Sequence, residues 1–421
     1  MKEFELRAIG ERCHYETLSN GLTVYVVPKA GYEKAHALLL VNYGGSDERF
    51  FLGNRRKQTP AGVAHFLEHK MFDMPEGNAL QTLTGRGASP NAFTSNSVTG
   101  YHFTCTEQFY DNLRTLLTFV NTPWFTPESV AKEQGIIAQE IGMLNDLPDW
   151  CCWQNLLQGL YHYHPVRNDL AGTVESISGI TPEVLESCYR GFYQPSNMVL
   201  CVAGNVSPRQ VLNLAAAVVP AGDGQLATRD LGEEEPDCVK EQEIIREMDV
   251  TIPKFAFGCK AKSEATLFHK VLGGVCAQML CGASAPLYAK LYQEGLIDGS
   301  FSADFNCGNG ASFLSFSGQS RNPSAVAEAI LSEGVRIAWN GLDEAVFAAV
   351  MKGAYGRRVR ALDSLEHLCG YLARGHFEGY NDLDFAQVYE CITREDAEEF
   401  LRNTVTGERS TLSVINPKGG K

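Results

Sequence analysis

The sequence has no basic surplus. Against 36 lysines and arginines stand 50 aspartates and glutamates, for a formal charge of −14. Such a chain offers no positive field to a nucleic-acid backbone or an anionic membrane, and neither is expected as a partner. No apolar run approaches the length of a membrane span. The N-terminal stretch MKEFELRAIGERCHYETLSNG has no apolar core of the kind a secretory signal carries. The 13 cysteines are odd in number, never spaced C-x-x-C, and include one adjacent pair, Cys151–Cys152, unsuited to a bridge. This usage predicts a reduced, cytoplasmic protein whose thiols serve as small core residues. Low-complexity tracts are missing as well.

What is present is the balance of a globular protein, 44% hydrophobic and 20% charged over 421 residues. That length exceeds one ordinary core and predicts two domains or one domain duplicated. Residues 21–29 (GLTVYVVPK) and 35–44 (AHALLLVNYG) read as buried strands. A helix follows near 60–74, then a long strand or hairpin over 88–106, then a helix over 107–120 with Phe109, Leu113, Leu116, Leu117 and Val120 on one face. Thr126-Pro127-Glu128 and Thr181-Pro182-Glu183 are helix starts, each a capping hydroxyl followed by proline and an acid. Residues 197–204 (NMVLCVAG) read as a strand, and Ser207-Pro208 opens a further helix. The stretch 221–243, Gly-rich and then acidic, reads as a linker with little to bury. After it the same alternation resumes: strand, long helix, a strand pair near 300–318, helices, and a last strand at 410–415. The resulting expectation is α+β: two homologous units, an N-terminal one over 1–220 and a C-terminal one over 244–421.

The chemistry concentrates at His65-Phe66-Leu67-Glu68-His69. On a helix His65 and His69 stand one turn apart on one face, so both imidazoles reach a single metal. Glu68 then lies beside the metal without being forced to bind it, the position of a general base that takes a proton from water. Two exposed histidines on a surface helix would be the plain alternative. Ala61, Val63, Ala64, Phe66 and Leu67 argue against it, because unpaired polar groups in a buried helix are costly. A catalytic zinc needs a third protein ligand and an open position. Glu140, on the helix that starts at Thr126, is the candidate; Glu133, two turns earlier on the same face, would orient a ligand by hydrogen bonding. Tyr161-His162-Tyr163-His164 lacks an acid or thiolate partner and reads as structural. The C-terminal half contains no HxxEH, so one zinc per chain is expected.

HFLEH followed about seventy residues later by Gln139-Glu140-Ile141 resembles the pitrilysin/insulinase family of zinc peptidases, the inverzincins. Gly87-Ala88-Ser89-Pro90-Asn91-Ala92-Phe93-Thr94, His164-Pro165, Phe192-Tyr193 and Pro195-Ser196-Asn197-Met198 extend the likeness over 20–220, and more loosely over 245–415. The resemblance implies domains with a five- or six-stranded, mostly antiparallel sheet backed by helices. Four such domains, usually from two chains, enclose a chamber. It implies a zinc endopeptidase whose peptide substrate adds as a strand along Ser89, Asn91, Ala92, Phe93 and Thr94, with leader or small peptides among the conceivable substrates. Two other readings fit less well: a homologue serving as a structural or partner-binding subunit of a peptidase-like complex, and a zinc hydrolase of a non-peptide substrate.

In active members of that family the second domain carries an arginine and, seven residues on, a tyrosine that face the substrate carbonyl. The matching stretch here is Leu291-Tyr292-Gln293-Glu294-Gly295-Leu296-Ile297-Asp298. Leu291 stands in the arginine's place and Asp298 in the tyrosine's, and no arginine lies between Gly282 and Ser320. Neither can stabilise a developing oxyanion. The resemblance therefore implies a heterodimer in which a homologous subunit supplies the Arg/Tyr pair, with a homodimer as the alternative.

Overall fold

The computed structural model describes residues 1–6, 9–222, 224–262 and 264–419. They form two compact α+β units. The first comprises residues 1–139, 169–231 and 358–384; the second comprises 140–168, 232–357 and 385–421.

The sheet of the first unit runs in the order Lys2–Leu6, Glu11–Thr17, Thr23–Pro28, Met198–Gly204, Ala35–Val41, Thr99–Cys105, Ser89–Thr94. All neighbours are antiparallel except Thr23–Pro28 with Met198–Gly204. The Ala35–Val41 and Met198–Gly204 strands are buried at every position. That explains their continuous apolar runs, since a central strand covered on both faces has no polar side to present.

The second unit repeats this plan. Its order is Glu243–Met248, Ser410–Pro417, Lys254–Lys260, Ala311–Gln319, Ser302–Gly308, with the first pair parallel and the rest antiparallel. Five strands thus correspond one for one, pairing for pairing, and the duplication expected from the sequence is present. The first sheet has seven strands rather than five or six. The extra pair is the N-terminal hairpin Lys2–Leu6 with Glu11–Thr17, laid beside Thr23–Pro28.

Neither unit is continuous in sequence. The helix Leu365–Glu378, from the C-terminal half, packs on Ala35–Val41 and Met198–Gly204 through Leu365, Leu368, Cys369 and Leu372. The helix Pro148–Leu160, from the N-terminal half, packs on Lys254–Lys260 and Ser410–Pro417. Gly159 makes the second contact possible: a Cβ there would stand 2.4 Å from Thr411 Cγ2 and 3.2 Å from the Glu241 carbonyl oxygen. The Gly159 carbonyl in turn accepts the Lys240 and Glu241 amides.

The acidic stretch 221–243 is more than a connector. Thr228–Arg229 pairs with Arg49–Leu52 in a small sheet. From there Arg229 donates to both Asp47 carboxylate oxygens at 2.6 and 3.1 Å, to the Asn42 side chain and carbonyl, and to the Ser97 carbonyl. Asp47 is buried, and burial raises its carboxyl while Arg229 opposes that rise. Six residues later Glu235 accepts the His162, Tyr163 and His164 amides and the Lys260 ammonium. Removing Arg229 would strand the Asp47 charge in the interior. Arg229→Ala is expected to destabilise the chain by about 3 kcal/mol, measured as a drop in the urea midpoint. Arg229→Lys should recover only part of that, because a point charge cannot reach all these acceptors.

The 13 cysteines are all free thiols, and ten of them are buried. Burial pushes thiols such as Cys13 and Cys188 up to about 12, where they remain protonated and inert. This is the core role expected from their scatter. No single helix among the described residues is long and apolar enough to cross a membrane.

Candidate metal centre

Residues His65, Glu68 and His69 sit on the helix Val63–Met71. Its start is fixed by Gly62, whose φ of 89° lies in the left-handed region; a Cβ there would fall 2.5 Å from the Ala171 carbonyl oxygen. Val63, Ala64, Phe66, Leu67 and Met71 bury the helix, and its one partly open stripe carries the two histidines. Their rings lie 4.6 Å apart, edge to face.

The helix Pro127–Asn145 brings the acids. Glu133 Oε1 is 3.1 Å from His69 Nδ1, which orients that ring and leaves Nε2 as the atom it could offer to a metal. Glu140 is seven residues further along the same unbroken helix. One ligand atom each from His65, His69 and Glu140 lie within 4.8 Å of one another. No other group of this kind occurs among the described residues. Burial first, and then the neighbouring His69, bring His65 down to about 4, so its imidazole is neutral at physiological pH, the form that binds a metal. Two imidazoles and a carboxylate, converging with a hydrogen-bonded acid behind one of them, fit a three-protein-ligand zinc site.

Glu68 is buried, and its Oε2 accepts the Thr94 hydroxyl at 2.6 Å. Within reach of its charge, Tyr101 and Tyr193 share a buried hydroxyl–hydroxyl contact of 2.7 Å. Burial, and to a lesser degree the Glu68 charge, hold both phenols well above their ordinary range. The sequence places Phe192-Tyr193 in a motif of the family resemblance but gives neither tyrosine a role beside Glu68, because nothing in the local pattern links them to it.

The residues read as substrate-binding lie on one strand, Ser89–Thr94, at the free edge of the seven-stranded sheet. Ser89, Asn91 and Phe93 are exposed, while Pro90, Ala92 and Thr94 are half-buried on the face toward Glu68. The Ala92 amide bonds to the Asn91 side chain at 3.0 Å rather than to the ladder, and Pro90 has no amide to give. In an antiparallel pair such groups alternate, so positions 90, 92 and 94 turn their main chain off the edge.

His164 accepts the Val166 amide at Nδ1 and meets the Asn309 carbonyl at Nε2, so it is a packing residue. Leu291 is 1% exposed in the core of the second unit. The Asp298 carboxylate is occupied by the Ser300 amide and hydroxyl and by the Gln319 side chain.

Comparison with known proteins decides the family. Residues 53–174 match the family Insulinase (Peptidase family M16), and residues 179–353 match the Peptidase M16 inactive domain. The uncharacterized zinc protease YmfH of Bacillus subtilis is 37% identical over 99% of this chain and all of its own length. The chain belongs to peptidase family M16. An M16-like peptidase from Alicyclobacillus acidocaldarius superposes with a TM-score of 0.92 at 32% identity, covering 96% of this chain and 98% of that one. Pitrilysin shares the fold at a TM-score of 0.76 and 16% identity; 96% of this M16 chain covers 45% of it.

Proposed function

We propose that this M16 chain is a zinc-dependent endopeptidase that holds one zinc on His65, His69 and Glu140 and cleaves peptides bound as an added strand. The observation that carries the reading is the convergence of those three side chains beside a buried Glu68. Zinc there would supply a Lewis acid that polarises the scissile carbonyl and acidifies water. Glu133 holds the His69 ring in its ligating orientation. Glu68 takes a proton from the attacking water on its carboxylate and returns it to the leaving amine. Main-chain groups of the strand Ser89–Thr94 bind the peptide backbone, which gives affinity with little side-chain preference.

The reading is tested by metal analysis of protein prepared without chelators. One zinc per chain is expected, and replacement of His65 and His69 by alanine together should abolish it. Stoichiometric zinc surviving in that double variant would overturn the assignment.

The state of Leu291 and Asp298 supports a second element of the proposal. One is sunk in the core and the other is spent on a local turn. Neither offers a donor to a substrate carbonyl, so the fully active form pairs this chain with a homologous subunit that supplies an arginine and a tyrosine. A purely structural role is the competing reading; zinc content separates the two.

A further inference from the structure

The free edge of the first sheet and the carboxylate proposed as general base meet at one side chain. Thr94 ends the edge strand. Its hydroxyl donates 2.6 Å to Glu68 Oε2; it stands opposite Thr99 in the register, and its main-chain groups turn outward, off the edge. A hydroxyl donating to a carboxylate is a short, charge-assisted bond, stronger than a neutral one. The two partners differ in freedom. Glutamate has a long, rotamer-rich side chain that must be ordered to work. Threonine is β-branched, and a strand leaves its χ1 little choice. The threonine is therefore the fixed member of the pair, and the carboxylate takes its direction from it.

We infer that Thr94 is a positioning residue for Glu68, holding the carboxylate of the base in one orientation from the strand at the sheet edge. The inference rests on the endopeptidase reading. Valine has nearly the shape of threonine but sets a methyl group where the donor was. Serine keeps the donor and loses the branch.

Two measurements test the proposal. The first needs no turnover. In the metal-free chain, urea midpoints are compared for Thr94→Val, Glu68→Ala and the double variant. A real bond makes the two shifts non-additive, and additive shifts overturn it. The second uses the zinc-loaded chain with its homologous subunit on quenched-fluorescent peptides. Thr94→Val should lower kcat by about 10–100-fold, with KM and zinc content close to wild type, and Thr94→Ser should recover most of the loss. Equal losses in both variants, or a change confined to KM, overturn the positioning role. Full turnover by Thr94→Val beside an inactive Glu68→Gln overturns the Thr94 proposal alone. Full turnover by Glu68→Gln instead overturns the endopeptidase role of Glu68 on which it rests.

Discussion

Glu68→Gln is expected to keep its zinc and to lose turnover by about 10²–10⁴-fold. Glutamine has nearly the volume of glutamate, can still accept the Thr94 hydroxyl, and leaves the His65, His69 and Glu140 cluster untouched. What it cannot do is take a proton. The substitution therefore isolates the base from the binding machinery, which is why zinc content is measured beside activity. A loss of zinc with activity would make Glu68 structural to the metal site; full activity with zinc retained would remove Glu68 from the chemistry. The setting makes a large effect reasonable. Glu68 is buried, and its charge acts on two buried phenols held in their protonated form. Alanine would be a poorer test, because it opens a cavity in a helix whose neighbours Phe66 and Leu67 are fully buried.

Much of this centre was legible in the sequence because its parts are local. His65 and His69 are one helical turn apart, Glu133 and Glu140 are two turns apart, and the 88–106 hairpin announces itself by its composition and ends. Periodicity reports which face of an element is buried, and five residues suffice to place two candidate ligands and a candidate base. It does not report what that face is buried against. The helix Leu365–Glu378 shows its apolar stripe plainly, yet nothing in the stripe says that it covers a sheet more than 150 residues earlier in the chain. The same holds for Pro148–Leu160 on the second sheet. Arg229 and Glu235 were hidden for a different reason. They lie among glycines and acids that look solvated, and only the long-range geometry shows Arg229 neutralising Asp47 and Glu235 collecting three amides and Lys260. A strand sequence shows only the backbone role of Thr94; its hydroxyl bond to Glu68 spans 26 residues and two element types.

Adding a homologous subunit that carries the arginine and tyrosine is expected to raise peptide turnover by this chain by about 10²–10³-fold or more, the usual cost of one missing oxyanion donor. What decides the effect is which groups are available. A tetrahedral intermediate at a peptide carbonyl places negative charge on oxygen, and the barrier falls when preorganised donors wait where that charge will appear. At the two positions where the family resemblance puts such donors, this chain has a leucine buried in the core and an aspartate engaged with Ser300 and Gln319. The backbone around them is equally committed. Leu291 accepts the Leu296 amide at 2.9 Å, closing the helix Pro286–Gln293, and Gly295 turns the chain at a φ of +67°. Installing the missing groups in this chain by Leu291→Arg would therefore bury a guanidinium in the second unit and cost stability before it gained activity. Complementation in trans avoids that conflict, since the partner's own fold presents the pair. The measurement is turnover of a peptide library by the zinc-loaded chain alone, by the partner alone, and by the two together, with Glu68→Gln as the control in the mixture. Activity that appears only in the mixture and vanishes with Glu68→Gln assigns the zinc chemistry to this chain and the oxyanion donors to the other. Full turnover by the lone chain, unchanged by the partner, would show that the oxyanion is stabilised by residues this chain already holds.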